Sequence, residues 1–259
     1  MSYPPHGRSR SDPDRVWRVL AAGIAALSIA AGLAGCSGTG LLIGVRAGQP
    51  GLAEQLPGGG WSGFDIAVAH YVARQLGYRR DQIRYTTDLE SADLVMGPAR
   101  EPYVGPYLVA TKDILVRARD RDRTLKDLAA GLVCGTRADT LGLSGRFGAE
   151  WRAAHLAEAN VPAACGPLLA DRRTDAIIAD APVLAGLSAQ YPGRFRLVGR
   201  ALAQERYGIG LSERTESWRD DIEEALRQMF DDGSWHRAVI DYLGELATQY
   251  EMPPALEKR

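Results

Sequence analysis

Three cysteines and four histidines are the residues of this chain best suited to covalent or metal chemistry, and their settings differ sharply. Cys36 ends the tetrapeptide Leu33-Ala34-Gly35-Cys36. Before it come a polar stretch carrying Arg8, Arg10, Arg15 and Arg18 and an apolar run from Val19 to Ala34. A basic stretch, a short apolar core and small residues before the cut make a secretory signal, and the core is too short for a comfortable membrane span. The tetrapeptide matches the bacterial lipoprotein signal, in which the cysteine thiol takes a diacylglyceryl group before cleavage. The expectation is a signal peptide over residues 1–35, an acylated tether over 36–40, and attachment to the extracytoplasmic face of the cell membrane. Acyl chains supply roughly 0.8 kcal/mol per buried CH₂, so two or three of them hold a soluble domain on a bilayer. An uncleaved N-terminal anchor with a chance cysteine is the alternative.

The other two cysteines, Cys134 and Cys165, form an even pair in the processed chain, which outside the cytoplasm reads as a disulfide. Closing a loop of about thirty residues would add roughly 3 to 4 kcal/mol on the chain-entropy account. Two buried thiols are the other reading. His6 falls in the signal, while His70, His155 and His236 are scattered with no metal-ligand spacing. No Gly-x-Ser-x-Gly elbow is present. These features predict no metal, no cofactor and no catalysis. A formal charge of −1, from 31 basic and 32 acidic residues, points away from nucleic acid as a partner.

Once the signal is removed, about 220 residues remain, enough for one large domain or two lobes. Leu41–Val45 is a short apolar run and predicts a buried strand, followed by a Gly/Pro-rich loop from Gly48 to Gly60. Phe64–Gly77 predicts a helix with a terminal glycine. Residues 83–85, 92–96, 114–117, 132–134, 175–180, 195–198 and 207–211 predict strands, and a short helix opens at Thr124. A helix beginning near Ala181-Pro182 follows the strand at 175–180. Ser217–Phe230 places Trp218, Ile222, Ala225, Leu226 and Met229 at helical spacing, and Ser234 is predicted to cap a last helix. Strands alternating with helices argue for α/β architecture with largely parallel sheets.

Several blocks of this sequence resemble the polar amino-acid family of extracellular solute-binding proteins, the receptors of ABC importers. They are IGVRAGQPGL (Ile43–Leu52), GFDIAVAHYVARQLGY (Gly63–Tyr78), VGPYLVATKDILVR (Val104–Arg117), TLKDLAAGLVC (Thr124–Cys134), the stretch Thr174–Val198, and Tyr207–Glu245. They fall in family order and cover nearly everything from Leu42 to Glu245. Within the family the resemblance is strongest to lipid-anchored glutamate-binding proteins. It implies a two-lobed, type II periplasmic-binding-protein-like fold with two crossover strands as hinge and a ligand held in the interlobe cleft. Lobe 1 would comprise residues 41–107 and 199–259, and lobe 2 residues 108–198. Cys134 and Cys165 fall where lipid-anchored members carry a lobe-2 disulfide.

A zwitterionic amino acid presents an ammonium and a carboxylate that must be desolvated together, each against a charged or strongly polar partner. Asp180 matches the aspartate that binds the ligand amine in this family. It ends a buried strand at the edge where open α/β sheets expose ligand groups, although an aspartate capping the helix at Ala181 would also explain it. Arg46 lies where acidic-amino-acid binders place a basic residue, suited to bidentate pairing with a side-chain carboxylate; a solvated loop arginine is the alternative. Thr140 sits where the family offers a hydroxyl to the ligand carboxylate, with Arg137 as a substitute, and an acidic Asp139 departs from the pattern. Between Thr86 and Tyr103 a helix of the family is missing, so lobe 1 is shortened. Gly97-Pro98-Ala99-Arg100 replaces a longer loop, leaving Arg100 as the candidate α-carboxylate clamp and Ala99 where a hydroxyl is expected. Trp61 could wall the cleft or pack on its own lobe, and Phe64 reads as core.

The resemblance thus implies a monomeric, lipid-anchored binder that takes an amino acid, with a glutamate or aspartate-like ligand favoured. It would pass this ligand to an ABC permease and its ATPase. The alternative is a sensory or accessory lipoprotein with a degenerate cleft, signalling to a membrane partner. The missing helix favours that alternative, as does the tether of Ser37 to Gly40, which spans only about 14 Å at full extension.

Overall fold

The computed structural model describes residue 1, residues 40–120 and residues 125–257; Cys36 lies outside the described residues. From residue 41 the chain forms β1 (Leu41–Gly44), the short strands β2 (Glu54–Gln55) and β3 (Trp61–Ser62), and α1 (Phe64–Gln75). Strands β4 (Ile83–Thr86), β5 (Leu94–Pro98) and β6 (Tyr103–Arg117) follow. The middle of the chain holds α2 (Leu125–Leu128), β7 (Val133–Gly135), α3 (Arg137–Phe147), α4 (Ala149–His155), β8 (Leu156–Glu158) and α5 (Cys165–Ala170). Then come β9 (Ala176–Asp180), α6 (Ala181–Gln190), β10 (Phe195–Leu197), β11 (Ala203–Leu211), α7 (Arg219–Asp231) and α8 (Ser234–Leu243).

One continuous sheet carries the order β4-β1-β5-β11-β6-β9-β7-β8, with β10 also paired to β6. It is mixed where the alternation of elements predicted largely parallel sheets. The outer pairs β1–β4, β1–β5, β7–β8 and β7–β9 are parallel, but β11 and β6 run antiparallel to each other and to the strands flanking them. The reason is topological. Helical crossovers build each outer set, whereas β6 and β11 carry the chain out of the first set and back to it.

Periodicity explains the elements that were legible. Along α1, Phe64, Ile66, Val68, Tyr71 and Val72 are buried, and the chain leaves the helix through Gly77 at φ 86°. Helix α7 buries Ile222, Ala225, Leu226 and Met229. Trp218 falls just before it, in a 3₁₀ turn. Ser234 is not the cap of α8, as its sequence position suggested. Gly233, in the left-handed region at φ 77°, is the cap, and the Ser234 amide donates to Asp232 Oδ1 at 2.8 Å. No helix occupies residues 87–93, in line with a shortened first lobe.

The main core runs without a break across the centre of the sheet. At its heart the Phe64 ring packs on Tyr107 and Trp235, and the Trp235 indole donates to the Tyr107 carbonyl at 2.8 Å. Trp61 packs beside Tyr85 in its own half of the sheet. Cys134 of β7 and Cys165 of α5 are joined in a disulfide.

Two devices hold the crossovers. Asp113 of β6 is buried, and its carboxylate accepts from the amides of Ile114 (2.7 Å), Arg200 (2.8 Å) and Gly199 (3.0 Å), pinning the start of the return path. At the other end, the Glu257 amide donates to Gly105, while its carboxylate accepts from Tyr103 and pairs with Arg206 at 3.2 Å. The C-terminal tail therefore grips both crossovers. Asp113→Ala would leave the Gly199 and Arg200 amides without their acceptor. A loss of roughly 2 to 4 kcal/mol in urea unfolding is expected; an unchanged midpoint would show that water replaces the carboxylate.

Candidate functional site

Where the ends of β1, β5 and β9 meet the crossovers, a cavity of about 150 Å³ draws on both halves of the sheet. Two larger hollows, of about 360 and 340 Å³, are each lined from one half alone. Arg46, Arg100 and Asp180 all face the 150 Å³ cavity, so three of the predicted ligand residues come together there. Arg137 and Thr140 do not line it.

The acidic wall is built on sheet register. Lys112 of β6 lies opposite Asp180 of β9 on one side and Ala203 of β11 on the other. Paired residues of antiparallel strands project to the same face, so lysine and aspartate meet. The Lys112 ammonium donates to Asp180 Oδ1 at 2.9 Å and to Asp139 Oδ1 at 2.8 Å. Asp180 Oδ2 accepts from the Tyr207 hydroxyl at 2.6 Å. Asp180 does occupy the position before α6, yet its side chain makes no capping bond there. The carboxylate is turned into the cavity instead. Burial opposes the charge on Lys112, but the two aspartates outweigh it and hold its pKa above the usual lysine value. Burial first, and Asp180 second, push the Tyr207 phenol well up.

The predicted loop at 135–140 is helical from Arg137 onward. Thr136 is the N-cap of α3, accepting from the Asp139 amide at 3.3 Å, and its hydroxyl donates to Asp139 Oδ2 at 2.5 Å. That arrangement aims Asp139 at Lys112. It also places Thr140 one turn into the helix, buried, with its hydroxyl donated to the Thr136 carbonyl at 2.8 Å. Arg137, the first residue of α3, is exposed.

The basic wall comes from loops. Arg46 follows β1, and its Nε is buried with no hydrogen-bond partner among the described residues. Such an orphaned donor costs about 1 to 3 kcal/mol unless something accepts from it, so an acceptor in the cavity would be favoured. Arg100 is exposed in the short loop between β5 and β6. Beneath Arg46, Asp65 of α1 is fully buried and accepts from the Tyr107 hydroxyl at 2.9 Å. Burial raises its pKa to about 7, against the opposing pull of Tyr107 and Arg46.

The walls are pressed together on one side. Gly48 accepts from the Ala163 amide at 3.2 Å, and Gln190 reaches Glu54 at 2.6 Å. Gly186 of α6 lies so close to the first-lobe loop that a Cβ there would come within 2.3 Å of the Pro50 carbonyl carbon.

Sequence reasoning missed Lys112, Tyr207 and Asp65. The one local signal was a charged pair, Lys112-Asp113, inside an otherwise apolar strand.

No family model matches the chain. It is 31% identical over 232 residues to the glutamate-binding protein GluB of Corynebacterium glutamicum, covering 78% of each protein. The glutamate-binding protein GluB of Corynebacterium efficiens is 30% identical with the same coverage. Among solved structures, an ancestral arginine-binding protein bound to glutamine matches 81% of this chain and 99% of its own, with a TM-score of 0.66 at 23% identity. The GluR0 ligand-binding core from Nostoc punctiforme in complex with L-glutamate matches 78% and 98%, with a TM-score of 0.63 at 22% identity.

The raised pKa of Asp65 has a sign that can be checked. Between its ordinary value of 3.8 and about 7 the folded chain holds a proton that the unfolded chain has released, so stability from this group is full below that window and falls as pH rises through it. Asp65→Asn keeps an acceptor for Tyr107 and removes the titration. Relative to the parent, the variant should gain on the order of 3 kcal/mol between pH 5 and pH 8 in ligand-free melts. A difference that stays flat with pH would contradict the assignment.

Proposed function

The chain belongs to the family of extracellular solute-binding proteins that includes the corynebacterial glutamate-binding proteins, and on that footing we propose that it captures an acidic amino acid in the 150 Å³ cavity and releases it unchanged. The observation that carries this is the division of charge across the cavity. One wall groups Asp139, Asp180 and Glu205 about a single lysine, leaving negative charge in excess. The other presents Arg46 and Arg100. A buried excess charge is expensive until matched, so the first wall favours an ammonium and the second favours carboxylates. A glutamate or aspartate-like ligand, with one of the former and two of the latter, offers each wall a group of opposite charge. Bidentate arginine–carboxylate pairing would fix its orientation.

Binding would proceed by hinge closure about β6 and β11, with ligand contacts offsetting the desolvation and ordering of the two walls. We further propose that Cys36 carries the lipid that keeps the protein at the outer face of the membrane, and that an ABC permease with its ATPase receives the ligand. The absence of catalysis belongs to the same proposal, and it draws support from the relatives being named as binding proteins.

Calorimetry on protein from residue 37 onward tests the reading directly. Glutamate or aspartate should bind, and Arg46→Ala and Arg100→Ala should each weaken binding at least tenfold, the value expected for a charge-assisted hydrogen bond of about 1.5 to 3 kcal/mol. No binding to any common amino acid would sink the proposal. A second variant tests closure without touching the ligand. Gly186→Val drives a side chain against Pro50 and should lower affinity mainly by accelerating dissociation; a parent-like off-rate would mean that the walls need not approach this closely.

A further inference from the structure

Four carboxylates line the cavity: Asp65, Asp139, Asp180 and Glu205. Three of them are already engaged. Asp65 is buried under Arg46 and bonded to Tyr107. Asp139 spends one oxygen on Lys112 and the other on Thr136. Asp180 spends one on Lys112 and the other on Tyr207. Of the four, only the Glu205 carboxylate makes no hydrogen bond or ion pair among the described residues.

Its position is set by the strand that carries it. Glu205 lies on β11 two residues before Tyr207 and opposite Ala110, so it projects to the face from which Tyr207 reaches Asp180. Ala203, two residues earlier still, is opposite Lys112 on the same face. Glu205 therefore stands next to the Lys112–Asp180 pair, half-buried, on the crossover that links the two walls.

From these contacts we infer that Glu205 receives the ligand's ammonium group, and that Asp180, its oxygens held by Lys112 and Tyr207, is a positioning residue that sets the acidic wall. The inference rests on the amino-acid reading given above and identifies the side chain that makes the cavity prefer an amino acid to a plain dicarboxylate. Lys112 is what displaces the role: a resident ammonium already sits on Asp180, so an incoming one meets the carboxylate that is still free.

Glutamate and glutarate, which share both carboxylates and differ by the amine, separate the possibilities by calorimetry. The parent protein should prefer glutamate. Glu205→Gln should weaken glutamate about tenfold or more, as expected for loss of a charged hydrogen bond, and leave glutarate nearly unchanged, so that the preference collapses. Glu205→Asp should restore part of it. Asp180→Asn should shift both ligands alike and keep the preference, because it alters the partner of Lys112 rather than that of the amine. Melting temperatures on the same samples confirm that the variants fold. If Glu205→Gln keeps the preference, binds glutamate more tightly, or loses both ligands equally, the role assigned to Glu205 is overturned while the amino-acid reading stands. If the parent binds neither glutamate nor any other amino acid, the amino-acid reading fails and this inference with it.

Discussion

The pairing of β6 with β11 is the constraint on which the rest depends. These two strands lie side by side at the centre of the sheet and run antiparallel from Ala203↔Lys112 through Gly210↔Tyr103. Each outer set of strands adds to one of their flanks, β5 to β11 and β9 to β6. Every residue of the cavity is therefore placed relative to this ladder. A one-residue slip of β11 against β6 would turn Glu205 and Tyr207 to the face opposite Lys112 and dismantle the acidic wall at a stroke. The buried clamp at Asp113 and the grip of the tail at Gly105 fix the ladder near both of its ends.

Charge in the cavity follows from that placement. Enclosing a lone lysine would be costly, and enclosing it between two aspartates turns the cost into an excess of negative charge. Arg46 and Arg100 stand across from this excess on separate loops, and the Arg46 Nε lacks an acceptor of its own. Neither wall is electrically complete by itself. Closing them together without a ligand sets unmatched groups in a small volume, whereas an amino acid would offer each wall a group of opposite charge.

Much of the scaffold was legible in the sequence, and much of the wiring was not. The strand at 175–180 and the helices α1 and α7 announce themselves through unbroken apolar runs or a clear 3.6-residue period. β6 was read only from Ile114 to Arg117, because its first two-thirds include Pro106, Thr111 and Lys112 and are buried with no alternating pattern. Helix α3 was invisible for the opposite reason. It buries only Thr140 and Leu143 and contains Gly142 and Gly145, so its sequence resembles a loop. Asp180 could be picked out from a family pattern and a sheet edge together, Arg46 from the family pattern, and Arg100 only as the one basic residue of a loop that departs from that pattern. Lys112 could not, since its partners lie 27 and 68 residues away and nothing local indicates a register. Thr140 shows the limit of position-matching: the hydroxyl is at the expected place in the chain, but a helix capped by Thr136 consumes it.

The grip of the C-terminal tail has a practical side. Glu257 contacts Gly105, Tyr103 and Arg206, all on the crossover strands. Anything fused beyond that point is mechanically coupled to the axis about which the walls would turn. A fluorophore placed there would report bending with little lever arm of its own, which suits a ligand sensor. A bulky purification handle at the same place would load the hinge and bias the measurement it was added to enable.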